Sequence, residues 1–345
     1  MTDAKTNSGR FFEDYEVGQT LHHAVPRTVT NGERALYHAL YPSRHALYSS
    51  DQFARGCGLA FSPLDDLIIF HIVFGKTVPD VSLNAVANLG YAQGRCLAPV
   101  WPGDTLRSES QVIGLKQNSN GKTGVVYVRT TGFNQDDAKV LEYVRWVMVR
   151  KRDLNAAAPT TVIPDLAPVL SVEELHIPEG LNFNDYDFDL AGEPHRWGDY
   201  QIGEMIDHVD GVTIEEAEHM MATRLWQNTA KVHFDTSARP DGSRLIYGGH
   251  VISMARALSF NGLANAQMIV GLNGGAHANP CLSGDTVRAW SQVLDKADTS
   301  APGVGAIRLR LVATKGGDPF KLKGEDGKYL ADVLLDLDYW ALMPK

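Results

Sequence analysis

The residues of this chain that best suit chemistry lie in a short stretch of its second half. His233 sits in the polar segment WQNTAKVHFD, and imidazole suits general-base work near neutral pH. Asn228 carries an amide that can hold a water or a carbonyl but cannot shuttle a proton. Gly248 and Gly249 precede an apolar segment, and N–H groups at a helix start can stabilise developing negative charge. These residue types suit activation of water beside a carbonyl, although a lone histidine is more often structural.

The elements around these residues occur twice along the chain. The segment FEDYEVGQTL at 12–21 returns as WGDYQIGEMI at 197–206, and PGDTLRSESQV at 102–112 returns as SGDTVRAWSQV at 283–293. The offsets of 185 and 181 follow from matching Tyr15 to Tyr200 and Gly103 to Gly284. Fragments that match at nearly constant offset indicate one unit that was duplicated and fused, so both copies should share a fold.

The duplication divides the chain into four parts. We predict a disordered tail at 1–10, a first unit at 11–152 and a second unit at 181–345. Between the units, residues 153–180 contain Pro159, Pro164, Pro168 and Pro178. Proline at this density prevents regular helix or sheet pairing, so this segment is predicted to be a linker that crosses the surface.

Each unit has the same predicted order of helices and strands. A helix that starts at a threonine, Thr30 or Thr213, precedes an apolar helix at 64–75 or 250–262. Strand-like runs follow, with period-two alternation in RLRLV of the second unit. One long buried helix followed by antiparallel strands predicts an α+β fold with the sheet wrapped around the helix.

Composition excludes several classes of protein. The net charge of −9 and the pI of about 5.7 argue against a general nucleic-acid binder. Cys57, Cys96 and Cys281 lack metal-site spacing and cannot all pair, which indicates a reduced, cytoplasmic protein. The N-terminal segment lacks the apolar core of a secretory signal, and the longest apolar run, 67–74, is too short to span a bilayer. We therefore expect neither a nucleic-acid nor a membrane partner.

The element order and motifs together resemble the hotdog fold of the MaoC-like hydratase/dehydratase family. The second unit carries the family's loop in WQNTAKVHFD, its helix entry in RLIYGGHVISM and its strand start in SGDTV. The first unit offers YPSRHALYSSDQFA and PGDTL at the corresponding places. The resemblance covers the chain apart from tail and linker, and it implies two tandem hotdog units that form a double hotdog.

Three longer segments, 70–92, 224–236 and 244–266, resemble one subfamily more closely. That resemblance implies reversible addition of water across the double bond of a branched C5 dicarboxylyl-CoA thioester. The partner would be this acyl-CoA substrate, with CoA as part of the substrate and no separate cofactor. No metal is implied, because the chain lacks an HExxH motif, cysteine pairs and an acidic triad at ligand spacing. We also expect a homo-oligomer.

The resemblance assigns roles to the residues of the second unit. His233 occupies the position of the family's catalytic histidine, and Gly249, with Gly248, would polarise the thioester carbonyl. Asn228 stands where the family has aspartate, which leaves three readings. The amide orients water while His233 transfers protons, or another acid such as Asp235 supplies a proton, or the enzyme is impaired. We favour the first, because the substrate's own carboxylate would repel a second carboxylate nearby.

The first unit lacks these groups at the positions that we aligned with them. Tyr48, Ser43 and Pro63 stand there in place of the histidine, the asparagine and the second glycine. A neutral phenol is a poor base at pH 7, and proline lacks an N–H. We therefore predict one active site per chain, with the first unit degenerate and shaping the acyl pocket, supported by Tyr48.

Basic side chains around the second unit's motif complete the candidate site. They are possible contacts for CoA phosphates or for the distal carboxylate, since arginine binds both in a bidentate manner: Lys231, Arg239, Arg244 and Arg256. His277, in the segment GGAHANP, matches no motif residue.

Two other functions remain open at this point. A hotdog thioesterase would use a carboxylate or amide to direct water to the carbonyl, and Asn228 is compatible with that role. A non-catalytic acyl-CoA-binding protein would explain why the aspartate is missing. Fold alone does not distinguish these functions.

Overall fold

The strands join into one antiparallel sheet whose order reflects the duplication. A computed structural model describes residues 5–345. The sheet order is β1-β3-β4-β5-β2-β7-β10-β9-β8-β6, so each half repeats the same sequence of strands from its outer edge to the middle. The strands of the first unit are β1 Thr20–Thr28, β2 Ala85–Cys96, β3 Thr105–Gln117, β4 Thr123–Phe133 and β5 Lys139–Arg150. Those of the second unit are β6 Met205–Thr213, β7 Ile269–His277, β8 Thr286–Asp298, β9 Val304–Thr314 and β10 Val333–Pro344.

The two halves meet where β2 pairs with β7. The register places Tyr91 opposite Gly275 and Arg95 opposite Gly271. Because these strands are central, a side chain on either one can reach the helix of the other unit. The predicted α+β architecture with two tandem units is therefore confirmed, and the units share one continuous sheet.

A buried helix packs on each half of the sheet. In the first unit this is α4, Asp66–Thr77, and all twelve of its residues are buried, which confirms the helix predicted from its apolar composition. In the second unit α8 spans Gly248–Leu258, and the chain kinks at Asn261 and Gly262 inside the segment predicted as helix. The other helices are α1 Asn31–Leu40, α2 Ala46–Ser49, α3 Asp51–Gly56, α5 Phe188–Ala191, α6 Glu216–Leu225, α7 Lys231–Phe234 and α9 Phe260–Leu263. Within residues 5–345, none combines the length and apolarity that crossing a bilayer requires.

One of the two predicted threonine caps is present. The Thr30 hydroxyl accepts from the Gly32 N–H at 3.0 Å, and Glu33 closes a capping box at the start of α1. Thr213, in contrast, is the last residue of β6, and α6 begins after Glu215, which makes no capping bond with its side chain. The prediction for Thr213 is wrong because pairing with β8 extends the strand through it.

The proline-rich linker forms only a short 3-10 helix, Val172–Glu174, and one isolated bridge. Val162 forms an isolated bridge with Leu115 on β3, and the Leu170 N–H donates to the Asn273 side chain at 2.8 Å. Thus the linker crosses from one half of the sheet to the other while it contacts both.

Part of the segment predicted as a disordered tail contacts the first unit. Residues 1–4 of that segment lie outside the described residues. Asn84 donates to the Ser8 carbonyl at 2.9 Å, Gly9 is buried, and Arg10 pairs with Asp80 at 3.1 Å. Residues 8–10 are therefore held against the first unit.

Candidate active site

A cavity of about 300 Å³ lies between the two units. The second unit contributes the residues on which the sequence analysis concentrated, together with two others: Asn228, His233, Tyr247, Gly248 and His277. The first unit contributes side chains from α4, β2 and β5: Phe74, Asn88, Tyr91 and Arg145. Neither unit alone encloses this cavity, because β2 and β7 meet at the centre of the sheet.

His233 is held in the form that a general base requires. It lies on the short helix α7, and its Nδ1 faces the Leu245 carbonyl at 2.7 Å. A carbonyl only accepts, so Nδ1 carries the proton and Nε2 keeps its lone pair. Burial lowers the pKa of His233 to about 4, so the imidazole is neutral at pH 7. The structure thus gives this histidine the tautomer and charge state that can take a proton from water.

Asn228 lies at the wall of the same cavity, where the main chain fixes it. Only 1% of the residue is exposed, and its Oδ1 accepts from the Ala230 N–H at 3.3 Å. The first unit supports this loop closely, since a Cβ on Gly75 of α4 would fall 1.8 Å from the Trp226 carbonyl oxygen. Glycine at position 75 is therefore required for the loop to sit where it does. Asp235, the alternative acid, is exposed and does not line the cavity.

Gly248 and Gly249 are the first two residues of α8, and their N–H groups are available. Among the described residues, neither N–H has an acceptor within hydrogen-bond distance, as expected for the first turn of a helix. A Cβ on Gly249 would lie 2.5 Å from the Tyr247 ring, so this position admits only glycine. Two main-chain donors thus lie at the positive end of a helix dipole, and one of the two residues, Gly248, lines the cavity.

His277 is a site residue that the sequence analysis missed. It ends β7 and its Nε2 lies 3.2 Å from the Tyr91 hydroxyl of the first unit. Burial, and secondarily the nearby His233, lower the pKa of His277 to about 4. One signal was present in the sequence. At the offset of 181 that relates the repeats, His277 corresponds to Cys96, so a titratable group differs between the copies at a strand end.

Arg145 is the other missed residue. It lies within the strand-like run that the sequence analysis assigned to the end of the first unit, and that run is now β5. The residue is fully buried and lines the cavity. No pattern in the sequence distinguishes it from an arginine on the solvent face of a strand.

The predicted contact role of Arg256 is wrong. This arginine lies on the buried face of α8 with 4% exposure, and it donates to the carbonyls of Ala266 and Gln267. Its guanidinium therefore holds the turn after α8 and is not free to bind a phosphate or a carboxylate.

The other predicted basic contacts lie outside the cavity. Arg239 pairs with Asp241 at 2.5 Å, and Arg244 pairs with Glu216. Lys231 is exposed at the start of α7, and no carboxylate of the described residues lies within 4 Å of it. Of these three residues, Lys231 is the one without a carboxylate partner among the described residues.

Tyr48 does not support the acyl pocket, which corrects the prediction from sequence. Its hydroxyl donates to Asp66, and its ring packs in a separate apolar cluster. Beside this pair lies a cavity of only about 10 Å³, lined in part by Asp66 and Cys96. Burial raises the pKa of Asp66 to about 7. The place in the first unit that corresponds to the active cavity is thus filled by protein side chains.

The hydrogen bonds also correct the alignment between the copies. Equivalent hydrogen bonds in the two units align Leu64 with Ile246. In the first unit the Leu64 N–H donates to the Val100 carbonyl, and in the second unit the Ile246 N–H donates to the Cys281 carbonyl. Counting forward from these pairs, the counterpart of Gly248 is Asp66 and that of Gly249 is Leu67, at an offset of 182. Pro63 is therefore not the residue that replaces the second glycine. The alignment of Tyr48 with His233 is unchanged. The Tyr48 N–H donates to the His45 carbonyl and the His233 N–H donates to the Ala230 carbonyl, in each case three residues earlier in the chain.

Comparison with known proteins places the whole chain in one group. A family model described as mesaconyl-CoA hydratase matches residues 2–320. Mesaconyl-CoA hydratase from Cereibacter sphaeroides is 73% identical over 342 residues, which is 99% of this chain and 100% of that protein. β-Methylmalyl-CoA dehydratase from Chloroflexus aurantiacus is 57% identical over 350 residues, with 99% of both chains covered.

Solved structures agree with this fold. The crystal structure of a MaoC domain protein dehydratase from Chloroflexus aurantiacus superposes with a TM-score of 0.97, at 56% identity and with 99% of both chains covered. A Mycobacterium tuberculosis protein with a double hotdog fold superposes with a TM-score of 0.76 at 22% identity, covering 97% of this chain and 98% of that chain. The double hotdog predicted from the motifs is confirmed.

Proposed function

Because the chain belongs to the mesaconyl-CoA hydratase family, we propose that it is a hydro-lyase that reversibly adds water to mesaconyl-CoA and forms β-methylmalyl-CoA. One observation carries the mechanism. A neutral histidine with a free Nε2, His233, lines the same cavity as Gly248, which starts a helix with an unpaired N–H group and is followed by the unpaired N–H group of Gly249. Water activation and stabilisation of a thioester enolate need these two kinds of group.

The addition proceeds through an enolate of the thioester. The amide of Asn228 holds a water, and Nε2 of His233 takes one of its protons as the oxygen bonds to the carbon β to the thioester. The electron pair of the double bond moves onto the thioester oxygen, where the main-chain N–H groups at the start of α8 stabilise the charge. The imidazolium then returns a proton to the α carbon. One residue thus takes and returns the proton, which accounts for an amide in place of the family's aspartate.

His277 acts at the oxyanion in this mechanism. The Tyr91 hydroxyl lies on its Nε2 side at 3.2 Å, which leaves Nδ1 for the cavity. Its ring lies directly against Gly248, the residue whose N–H faces the thioester oxygen. A neutral imidazole that donates here adds a side-chain donor to the two main-chain donors. No step in this sequence requires a redox cofactor, because water adds across the double bond without net oxidation or reduction.

Binding of the CoA portion is assigned to the exposed edge of the cavity. Lys231 lies two residues from His233, exposed and without a carboxylate partner among the described residues. Its ammonium group suits a CoA phosphate. The cytoplasmic location and the homo-oligomer stay predictions from the sequence.

The test is incubation of the purified protein with a panel of enoyl-CoA esters of four to six acyl carbons. We expect mesaconyl-CoA to gain one water by mass, with loss of enoyl absorbance and an intact thioester. β-Methylmalyl-CoA should give the reverse change. Release of free CoA thiol would instead identify a thioesterase, and tight binding without any turnover would identify an acyl-CoA-binding protein. Either result would overturn the proposal.

A further inference from the structure

Arg145 is buried in a manner that is unusual for a charged side chain. It lies on β5 opposite Tyr91 of β2, with no exposed surface. Its guanidinium carbon stands 4.2 Å from the centroid of the Phe74 ring. One nitrogen, Nη2, donates to the Thr77 hydroxyl at 2.6 Å and reaches the Ser82 hydroxyl at 3.5 Å. These neutral contacts fix the side chain but leave its charge unbalanced.

The remaining donors of Arg145 have no partner in the protein. Its Nε and Nη1 are buried without an acceptor, and no carboxylate of the described residues lies within 4 Å of it. The half-buried Arg308, in contrast, pairs with Asp338 at 2.6 Å, and the donors of the buried Arg256 meet main-chain carbonyls. A buried and unpaired charge is costly, so its presence points to an anion that arrives from outside the fold.

The surroundings of Arg145 favour an anion inside the catalytic cavity. The residue lines that cavity, whose described lining contains no aspartate, glutamate or lysine. Asn88, another lining residue, has both amide atoms buried without a partner. The inner wall that the first unit provides therefore holds several unsatisfied polar atoms.

Arg145 is also close to the reacting groups of the second unit. The Phe74 ring beneath its guanidinium lies 5.8 Å from the Tyr247 ring, and that ring lies 5.7 Å from the ring of His233. Two aromatic rings, those of Phe74 and Tyr247, thus connect the cation to His233. An acyl group of a few carbons spans a cavity of this kind.

We propose that Arg145 binds the free carboxylate at the far end of the acyl chain and so selects dicarboxylyl-CoA over monocarboxylyl-CoA esters. This inference rests on the proposed function for the identity of the acyl group. A guanidinium binds a carboxylate through charge-assisted N–H bonds, and Nε and Nη1 of Arg145 both lack an acceptor in the protein. An ester without this carboxylate leaves both donors unpaired, which disfavours its transition state.

The first arm of the test compares hydration of mesaconyl-CoA with that of crotonyl-CoA, which has no distal carboxylate. In Arg145→Gln, we expect the ratio of kcat/KM for the two esters to fall about 10²–10⁴-fold relative to wild type. Arg145→Lys should restore part of the ratio, because a point charge remains without the paired donors. The control is Arg129→Gln on the adjacent strand, where Arg129 pairs with Glu142 at 3.1 Å outside the cavity. It should leave the ratio unchanged.

The second arm measures binding without turnover. Wild type should bind succinyl-CoA more tightly than butyryl-CoA, and Arg145→Gln should remove that preference by isothermal titration. An equal loss of activity on both enoyl esters, with the binding preference intact, would make Arg145 a structural residue and overturn the inference. A wild type that hydrates no ester but keeps an Arg145-dependent preference would refute the proposed reaction and support the carboxylate site. A circular dichroism spectrum matching wild type confirms that each variant is folded.

Discussion

The imidazole of His277 packs directly on the main chain of Gly248. A Cβ on Gly248 would stand 2.4 Å from Cε1, 2.6 Å from Nε2 and 2.7 Å from Nδ1 of that ring. Such contact is possible only for glycine, and it joins the end of β7 to the first residue of α8. The imidazole and the helix N-terminus therefore form one surface of the cavity, so a change to either residue should disturb both.

Substitution of Gly248 by alanine should displace His277 from the cavity wall. We expect kcat for mesaconyl-CoA hydration to fall about 10²–10³-fold, the loss typical for a single oxyanion donor. Gly198→Ala provides the control, since a Cβ there meets nothing within 4 Å and the site is remote from the cavity. Steady-state kinetics of both variants and of His277→Phe check this. Wild-type kcat in Gly248→Ala would refute the oxyanion role of this surface.

Removal of the His233 imidazole should abolish most turnover without unfolding the protein. General-base groups contribute about 10²–10⁴-fold, so His233→Asn should lose activity on that scale. His208→Asn is the matched control. Burial also lowers the pKa of His208 to about 4, and its Nδ1 also donates to a carbonyl, that of Asn261 at 2.7 Å. It lies outside the cavity. A folded His233→Asn variant with more than about a tenth of wild-type kcat would exclude His233 as the base.

Truncation of Asn228 should separate a catalytic role from a packing role. If the amide holds water, Asn228→Ala lowers kcat more than it raises KM, because its bond matters most as charge develops. If the side chain only packs the loop through its bond to the Ala230 N–H, the melting temperature falls and the kinetics hardly change. Kinetics and thermal unfolding of the same preparation distinguish the two. The second pattern would contradict the mechanism above.

One acyl-CoA should bind per chain, because protein side chains fill the corresponding place in the first unit. Titration with a non-hydratable analogue should saturate near one equivalent. Tyr48→Phe should keep kcat within a few-fold of wild type, since Tyr48 contacts Asp66 and not the cavity. Its stability should fall, because the buried Asp66 carboxyl loses a donor. Saturation at two equivalents, or a kcat loss like that of His233→Asn, would show that both units do chemistry.

Stability should decrease as the pH falls below about 6.5, the pKa of unfolded histidine. Burial lowers the pKa of six histidines to about 3 or 4 in the folded chain: His71, His208, His219, His233, His250 and His277. Between about pH 6.5 and pH 4 these side chains therefore stay neutral in the folded chain but take up protons in the unfolded chain. Asp65 and Asp66 act in the opposite direction, since burial raises their pKa to about 6 and about 7. The effect of the six histidines on the free energy of unfolding is larger than that of the two carboxyls. The stability that the neutral histidines contribute above about pH 6.5 is therefore lost as the pH falls towards about 4.

Urea unfolding at about pH 7.5 and about pH 5 measures this difference. The midpoint should be lower at the acidic pH. A second measurement is the pH profile of kcat/KM. Its acid limb should lie well below pH 6.5, because His233 must be neutral to act and its pKa is about 4. An acid limb centred near 6.5, or a higher urea midpoint at about pH 5, would contradict the neutral state of these histidines in the folded chain.

Much of the fold could be predicted from the sequence because it is encoded in local patterns. The repeat predicted two units of one fold, the apolar composition of α4 predicted a buried helix, and period-two runs predicted strands. The motif around His233 and the glycines at 248 and 249 identified one wall of the active site, since those residues lie close together along the chain. The prediction that Thr213 caps a helix was wrong, because pairing with β8, a tertiary contact, extends β6 through this residue.

The other wall of the active site could be identified only from the tertiary structure. Tyr91 and His277 are 186 residues apart and meet only because β2 and β7 pair at the centre of the sheet. Arg145 has no distinguishing neighbours in sequence, and Tyr48 and Arg256 turned out to pack away from the cavity. Charge and side-chain type are properties of the sequence, but whether a charged group faces solvent, a carboxylate or a substrate depends on which strands and helices surround it, and short-range patterns do not contain that information.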